Sequence, residues 1–217
     1  MTGPNGQEPG DTRWSRIGGV SGEEYAARFA ERAAAGADVH GEARFCAALL
    51  PDGARVLDAG CGTGRVAARL AELGFACVGV DVDESMLAVA RRTAPQVPWH
   101  QADLSRLTAR DLGGASRFDL VVLAGNVVPL LGEGTLARTT TALARLLNNP
   151  SGLLVAGFGL DAEHLPPRCP VTSLEEYDEA CRAAGFSLRE RHSTWDAGPF
   201  DPAGGYGVSV HVREVTP

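Results

Sequence analysis

The nine residues from Val56 to Gly64, VLDAGCGTG, constrain this chain more than any other stretch of it. An apolar run ends in an acid, Asp58, and glycines follow at three alternate positions, Gly60, Gly62 and Gly64. Apolar residues then recur at helical spacing, so the pattern predicts a strand, a tight turn and a helix. Glycine lets such a turn adopt a positive φ and approach a ligand closely, and the free N–H groups of the helix favour an anionic group on that ligand.

Two classes of cofactor bind to a turn of this kind, and Asp58 helps to separate them. A dinucleotide would place its pyrophosphate over the glycines, where the carboxylate would repel it. S-adenosylmethionine carries no phosphate. The Asp58 carboxylate would attract the ammonium group of this cofactor, and the N–H groups of the helix would attract the carboxylate of the cofactor. The match of Gly62-x-Gly64-x-x-Ala67 to the dinucleotide fingerprint is weak by itself. The sequence therefore favours S-adenosylmethionine.

This stretch resembles the first motif of the class I S-adenosylmethionine-dependent methyltransferases. The resemblance implies S-adenosylmethionine as the cofactor and S-adenosylhomocysteine as the product. We expect the strand end and the turn to contact that cofactor through Asp58, Gly60, Cys61, Gly62 and Gly64. The alternative is a glycine turn that binds no ligand.

Composition excludes several other classes of function. The 217 residues suit one domain, and the formal net charge of −7 argues against the broad basic surface of a nucleic-acid-binding protein. The chain has no lysine, which excludes both a P-loop lysine and a Schiff-base lysine. The five cysteines show no metal-ligand spacing, so we expect no metal and reduced thiols in the cytoplasm. No apolar run is long enough to span a membrane, so we expect no membrane partner.

The domain organisation follows from shifts in composition along the chain. We expect a disordered lead over residues 1–20, because its first half is rich in glycine, proline and polar residues. A single domain is predicted over residues 21–217. Within it, residues 21–52 predict two helices, which form a cap over the substrate in the family that the chain resembles. Residues 53–217 are the predicted S-adenosylmethionine-binding core.

The order of elements predicts the fold class. Five β/α alternations follow the cap, and two last strands end the chain, the second with valines at alternate positions. This order predicts an α/β fold: a doubly wound, mostly parallel seven-stranded sheet with an antiparallel C-terminal strand and an N-terminal helical cap. It resembles the class I methyltransferase sheet over the whole chain after the lead. Residues 159–171, which contain three prolines, predict an ordered loop long enough to roof a site.

A second acid marks the end of the next predicted strand. Phe75 to Val80 predict a buried strand that ends at Asp81. Asp81 follows Gly60 by about the interval at which an acid receives the ribose hydroxyls in nucleotide-binding βαβ units. A carboxylate accepts two hydroxyl protons at once, so ribose binding is the predicted role. The alternative is the N-cap of the following helix, a role that Asp83 already fills.

The resemblance also implies which residues hold the adenine. In the family, the residue after the ribose-binding acid and one slightly further along pack on the ring; here they are Val82 and Met86, with core packing as the alternative for Met86. An acid at the end of the third strand accepts the adenine amino group in the family. Here that acid is Asp103, with Leu104 as apolar cover, and the alternative for Asp103 is a cap before Ser105.

Gly125 and Asn126 follow the fourth predicted strand at the end where open α/β sheets bind ligands. We expect both to lie at the cofactor site. Asn126 either bonds the cofactor or substrate or holds a turn. Asp119 lies at the opposite end of that strand and is expected to be structural.

Methyl transfer from a sulfonium depends more on positioning the two reactants than on a catalytic side chain. A base helps only where the accepting atom must lose a proton of high pKa, and His40, in the predicted cap, is the candidate base. His164, in the loop with three prolines, is the second candidate histidine for the substrate site. Tyr25, Phe29 and Trp195 are candidate apolar walls of that site, with core packing as the alternative for each.

The methyl acceptor is narrowed by two missing motifs. The chain lacks the Asn/Asp-Pro-Pro-aromatic motif of amino-directed DNA and glutamine methyltransferases, and the cysteine of cytosine-C5 enzymes. A small organic molecule, methylated on oxygen, nitrogen or carbon, is expected.

A finer resemblance is to small actinobacterial methyltransferases of undefined substrate. It is carried by His40-Gly41-Glu42, Ala124-Gly125-Asn126 and Val208-Ser209-Val210-His211. Two other functions stay open: an NAD(P)-dependent oxidoreductase and a non-catalytic S-adenosylmethionine-binding module.

Overall fold

The computed structural model describes residues 12–17, 20–114 and 117–214, and one sheet of seven strands forms its centre. The strands are β1 (Arg55–Ala59), β2 (Ala76–Asp81), β3 (Trp99–Gln101), β4 (Leu120–Leu123), β5 (Leu153–Gly159), β6 (Phe186–His192) and β7 (Tyr206–Arg213). Their order across the sheet is β3-β2-β1-β4-β5-β7-β6; β1 to β5 pair in parallel, and β7 runs antiparallel to both of its neighbours, β5 and β6. This confirms the predicted mostly parallel sheet with an antiparallel C-terminal strand.

Helices alternate with the strands over most of the chain. Within the described residues they are α1 (Arg13–Ile17), α2 (Gly22–Ala34), α3 (Gly41–Ala48), α4 (Arg65–Glu72), α5 (Glu84–Thr93), α6 (Val127–Leu130), α7 (Leu136–Leu146) and α8 (Leu174–Ala183). Two short 3₁₀ turns, Leu104–Arg106 and Ala109–Leu112, follow β3. None of the helices in the described ranges has the length and apolar character needed to cross a bilayer.

The central strands are buried on both faces because helices cover the sheet on each side. Along β1, Val56 belongs to the apolar cluster on one face, whereas Leu57 belongs to the cluster on the other. Leu120 and Val121 alternate in the same way along β4. Because parallel strands end at the same edge of a sheet, this packing places the loops after β1, β2 and β4 side by side.

The two predicted cap helices pack on the first two core helices. Gly22, at the start of α2, lies so close to α5 that a Cβ on it would be 2.2 Å from the carbonyl oxygen of Ser85. Helix α3 packs against α4, and its residues Ala43 and Cys46 are fully buried. The cap is therefore joined to the helices that follow β1 and β2.

Part of the segment expected to be a disordered lead is helical. Helix α1 lies within it, and the indole Nε1 of Trp14 donates to Asp83 Oδ2 at 2.9 Å. The Arg13 guanidinium donates to the carbonyl oxygen of Pro129 in α6 at 3.2 Å. The expectation of disorder therefore does not hold for residues 12–17, because these contacts with distant elements order a segment that has no core of its own. Residues 1–11, 18 and 19 of the lead lie outside the described residues.

Candidate functional site

A cavity with an empty volume of about 920 Å³ lies at the carboxyl ends of β1, β2 and β4. Ten of the twelve residues predicted to contact the cofactor line it: Asp58, Gly60, Cys61, Gly62, Asp81, Val82, Met86, Asp103, Leu104 and Gly125. Residues that are separated by up to 67 positions in the sequence are thus brought to one cavity.

The glycine turn forms the floor of the cavity. Gly60, Gly62 and Gly64 all have positive φ angles, of 77°, 52° and 80°, which confirms the predicted tight turn. A Cβ on Gly60 would lie 2.6 Å from a methyl carbon of Val127, so that position needs glycine for packing. A Cβ on Gly62 would meet no protein atom within 4 Å. Gly62 lines the cavity, and the position that a side chain would occupy on it is open space.

Asp58, the acid before the turn, is 2% exposed and lines the cavity. Its Oδ2 accepts the N–H of Ala67 in the first turn of α4 at 3.0 Å. Burial raises the pKa of this carboxyl to about 7, although the Ala67 N–H and the Arg65 guanidinium both oppose that rise. Asp58 therefore changes charge in the neutral range of pH.

Asp81, at the end of β2, links the strand to the glycine turn. Its Oδ2 accepts the N–H of Gly62 at 2.8 Å, and its Oδ1 accepts the N–H of Asp83 at 2.9 Å. Burial raises its pKa, against the effect of these two hydrogen bonds. Asp83 is the N-cap of α5, where it accepts the N–H of Ser85 at 2.8 Å. The cap role is thus filled by Asp83, as expected, and Asp81 faces the cavity.

Asp103 both caps a 3₁₀ turn and lines the cavity, the two possibilities that the sequence left open. Its Oδ1 accepts the N–H of Ser105 at 2.8 Å, so it caps the first 3₁₀ turn after β3. It also lines the cavity, beside Leu104. Met86 is 2% exposed and lines the cavity from α5, so its packing in the core and its contact with the cavity are compatible.

The remaining walls of the cavity come from residues of α1, α2 and α6, and only one of these residues was predicted from the sequence. Tyr25, predicted as a substrate wall, lines the cavity, and burial raises the pKa of its hydroxyl. Trp14 packs edge-on against Tyr25, with ring centroids 6.3 Å apart. Val127 and Leu130 line the cavity from α6. The apolar run that begins at Val127 in the sequence indicates this α6 side of the cavity.

Arg65, the first residue of α4, is the one basic side chain among the described residues that line the cavity. Its guanidinium donates to both carboxylate oxygens of Glu42 in α3, at 2.8 and 2.5 Å, and also to the carbonyl oxygen of Val39. It lies 4.5 Å from the ring centre of Phe29. The positive charge is therefore paired within the protein, and the pair joins the cap to the helix after the glycine turn.

Glu42→Gln is expected to lower the free energy of unfolding by about 1–3 kcal/mol, because it leaves a largely buried guanidinium without its ionic partner. The side chains of Arg65 and Glu42 are only 17% and 16% exposed. Urea unfolding checks the result. Glu72→Gln is the matched control, since it breaks the exposed pair with Arg69 and should change stability by less than about 0.5 kcal/mol. Equal effects of the two changes would contradict a role for the Arg65–Glu42 pair in holding the cap.

Two residues predicted to contact the cofactor do not line the cavity. A Cβ on Gly64 would lie 2.4 Å from the indole ring of Trp99, so this glycine makes room for core packing. The side chain of Asn126 accepts the N–H of Gly159 at 2.7 Å and donates to the carbonyl oxygen of His164 at 3.1 Å. The Asn126 side chain thus links the turn after β4 to the end of β5 and the loop that follows it.

The predicted base and three predicted substrate residues also lie outside the cavity lining. His40 precedes α3, and its backbone N–H donates to Asp38. Phe29 packs against Tyr25 and Arg65, which do line the cavity. The two others are held elsewhere: His164 Nδ1 is 2.8 Å from Asp161 Oδ1, and Trp195 Nε1 donates to the Tyr206 hydroxyl at 3.1 Å. Within the described residues no cluster of side chains has the composition of a metal site.

A sequence profile and a solved structure both relate this chain to the methyltransferases. The sequence profile of the family described as "Methyltransferase domain" matches residues 56–152. A TehB-like SAM-dependent methyltransferase from Corynebacterium glutamicum, whose crystal structure is known, is 32% identical to this chain. The two structures superpose with a TM-score of 0.77 over 88% of this chain and 97% of that one.

Curated relatives match over a shorter length. A putative methyltransferase of Geobacillus sp. (strain WCH70) is 37% identical over 102 residues, which are 46% of this chain and 40% of that protein. The putative methyltransferase YqeM of Bacillus subtilis is 32% identical over 116 residues, which are 52% of this chain and 45% of that protein. The chain thus spans less than half the length of these two curated relatives. Because the Corynebacterium protein is matched over almost its whole length, and the predicted cofactor residues converge on one cavity, this chain belongs to the class I S-adenosylmethionine-dependent methyltransferases.

Proposed function

We propose that this protein transfers the methyl group of S-adenosylmethionine to a small-molecule acceptor. The observation that carries the proposal is the charge of the cavity. Asp58, Asp81 and Asp103 line it, and the Arg65 charge is paired with Glu42. Such a cavity suits a cationic cofactor without phosphate and repels the pyrophosphate of a dinucleotide, which argues against an NAD(P)-dependent oxidoreductase.

The residues in the cavity fit S-adenosylmethionine from end to end. The open space above Gly62 and the Asp58 carboxyl would receive the amino-acid part, with Asp58 beside the ammonium group. Asp81 would accept the ribose hydroxyls. Met86 and Leu104 would pack on the adenine, whose amino group Asp103 would accept. When bound, the cofactor supplies an electrophilic methyl group on a sulfonium.

The chain itself contributes orientation and apolar walls. Trp14 and Tyr25 lie on one side of the space beside the cofactor residues, and the apolar residues of α6 lie on the other. The Tyr25 hydroxyl keeps its proton at neutral pH, as an ordinary tyrosine does, and burial raises its pKa further, so the hydroxyl is available as a hydrogen-bond donor. Neither His40 nor His164 lines the cavity, so we propose transfer by proximity and orientation without a histidine base.

Two further expectations accompany the proposal. The net charge of −7 supports a small molecule rather than a nucleic acid as acceptor. The five cysteines are all free thiols buried in the protein, which is compatible with the reducing cytoplasm.

Calorimetric titration of the full chain tests the cofactor first. S-adenosylmethionine and S-adenosylhomocysteine should each bind at one site, whereas NAD and NADP should not. Absence of binding by both adenosyl compounds at millimolar concentration would overturn the proposal. A mass-shift screen with a metabolite extract then separates an enzyme from a non-catalytic binding module, because only the enzyme produces a methylated compound.

Asp81→Ala is expected to weaken S-adenosylhomocysteine binding by about 1–3 kcal/mol, the cost of leaving polar groups unpaired in the cavity. Asp81→Asn should lose affinity to a similar degree, because it keeps one oxygen for the Gly62 N–H but cannot accept two hydroxyl protons. Titration calorimetry measures both variants. Asp52→Ala, in the exposed turn before β1, is the control and should bind as the unchanged protein does. Unchanged affinity in both Asp81 variants would remove the ribose assignment.

A further inference from the structure

The acids assigned to the cofactor leave one part of the cavity lining without a role. Those acids belong to three neighbouring strand ends: Asp103 follows β3, Asp81 ends β2, and Asp58 lies in β1. The strand on the other side of β1 is β4. With the adenine, the ribose and the amino-acid part of the cofactor along β3, β2 and β1, the space left for a methyl acceptor lies towards β4. We call this part of the lining the β4 side; it is contributed by residues 12–14, Tyr25 and residues 124–131.

The β4 side is an uncharged and largely apolar surface. Val127, Leu130 and Leu131 line the cavity from α6 and its C-terminal end. The rings of Trp14 and Tyr25 line it from α1 and α2. Within the described ranges, no acidic or basic side chain of these three helices lines the cavity. A charged acceptor placed here would lose its hydration and gain no counter-charge, which is unfavourable, so the surface favours an uncharged molecule.

The Tyr25 hydroxyl is a polar group of the β4 side that is left for a ligand. A Cβ on Gly125 would lie 3.9 Å from this hydroxyl oxygen, which is therefore beside the turn after β4. The hydroxyl has no hydrogen-bond partner among the residues that the structure describes. By contrast, Trp14 Nε1 and Thr12 Oγ1 already have hydrogen bonds within the protein, at 2.9 and 3.3 Å. A phenolic hydroxyl both donates and accepts, so Tyr25 can hold a polar group of the acceptor.

The direction of this hydrogen bond follows from the chemistry of methylation. The accepting atom needs a free lone pair, and a hydrogen bond from its own N–H or O–H to the Tyr25 oxygen holds the atom while leaving the lone pair free. Arg65 does not select an anion, because its charge is offset by Glu42. We infer that the methyl acceptor is an uncharged molecule with an apolar body, and that Tyr25 positions it by accepting a hydrogen bond from its N–H or O–H group. This inference rests on the proposed function, since it takes the cofactor to lie along β1, β2 and β3.

The test is a titration followed by NMR, with the full chain saturated with S-adenosylhomocysteine at neutral pH. The probes share one ring and differ in charge: phenol and aniline are uncharged and carry an O–H or N–H, benzoate is an anion, benzylammonium is a cation, and toluene has no polar group. The indole N–H signal of Trp14, identified by its loss in Trp14→Phe, reports on the cavity, and that of Trp195, which does not line it, is the reference. Phenol and aniline should shift the Trp14 signal saturably and bind at least about fivefold more tightly than the other three probes.

Tyr25→Phe separates the hydroxyl from the ring. It should weaken the binding of phenol and aniline by about fivefold, to the level of toluene. Because the hydroxyl has no partner in the described part of the protein, the unfolding temperature should stay the same, and so should the affinity for S-adenosylhomocysteine. Tyr206→Phe removes a hydroxyl that accepts a bond from Trp195 and does not line the cavity, so this control should bind all five probes as the unchanged protein does.

Failure of this inference and failure of the proposed function give different results. If S-adenosylhomocysteine does not bind, the proposed function is wrong. If it binds, the inference is wrong when no probe shifts the Trp14 signal, when a charged probe binds as tightly as phenol, or when Tyr25→Phe leaves probe binding unchanged or lowers the affinity for S-adenosylhomocysteine instead. In a mass-shift screen, the compound that is consumed should pass through anion- and cation-exchange resins at neutral pH and be retained by a reversed-phase resin; a charged acceptor would overturn the inference.

Discussion

Gly62→Val is expected to weaken S-adenosylhomocysteine binding by at least about 100-fold, or about 2.7 kcal/mol. The reason is steric, because the Cβ of a residue at this position would enter the open space above the turn and no protein atom lies within 4 Å of it. The positive φ of 52° adds strain of about 1–2 kcal/mol to the folded state. The protein should therefore still fold while losing its cofactor, as measured by calorimetry and thermal unfolding.

Gly53→Val separates the strain from the loss of space. Gly53 also has a positive φ, of 74°, and a Cβ there likewise meets no atom within 4 Å, but it lies in the turn before β1 and not in the cavity. Its stability cost should resemble that of Gly62→Val, and its affinity for S-adenosylhomocysteine should be unchanged. An intact affinity in Gly62→Val would place the cofactor elsewhere in the molecule.

The affinity for S-adenosylmethionine is expected to be about tenfold lower at pH 6 than at pH 8. The cause is Asp58, whose pKa burial raises to about 7, so that the carboxylate that favours the ammonium group is mostly protonated at pH 6. Asp58→Asn should bind at least about tenfold more weakly at pH 8 and should lose most of this dependence on pH. Any slope that remains is assigned to Asp81, whose pKa is also raised by burial. A pH-independent affinity in the unchanged protein would contradict the role given to Asp58.

The same substitution should have the opposite effect on the free protein. The folded-state pKa of Asp58 lies above its value in the unfolded chain, so the folded state binds the proton more tightly. The stability that this proton contributes is fully present below about pH 4 and is lost as the pH rises through about 7. Asp58→Asn, which has no charge to bury, should therefore be more stable than the unchanged protein at pH 8 by about 1–3 kcal/mol, and so unfold at a higher denaturant concentration; the difference should close as the pH falls towards about 4. A destabilised Asp58→Asn protein at pH 8 would contradict this account.

The parts of the site that the sequence predicted are those set by short-range rules. The turn after β1 requires positive φ angles, and the alternate glycines at 60, 62 and 64 predict it. Asp81 ends β2 and Asp103 comes shortly after β3, and in a parallel sheet the ends of neighbouring strands meet at one edge. Their common position in the cavity could therefore be inferred before any contact was known.

The features of the site that the sequence did not predict depend on contacts between distant segments of the chain. Trp14 lies in a segment with no apolar pattern, and it is ordered by a bond to Asp83, 69 positions later. Arg65 is paired with Glu42 across 23 positions, and Asn126 links to Gly159 across 33. No periodicity or spacing in a single sequence reports which of several arginines or asparagines finds such a partner.

The sequence by itself determined the family, the sheet and the chemical character of the cofactor site, since these depend on backbone conformation, on strand order and on the placing of acids after strands. Only the tertiary structure decided which side chains close the cavity and that His40 and Trp195 lie outside it. The physical reason is that a helix or loop can present a side chain to several neighbours, and the choice among them is made by packing and hydrogen bonds between elements that are far apart in the chain.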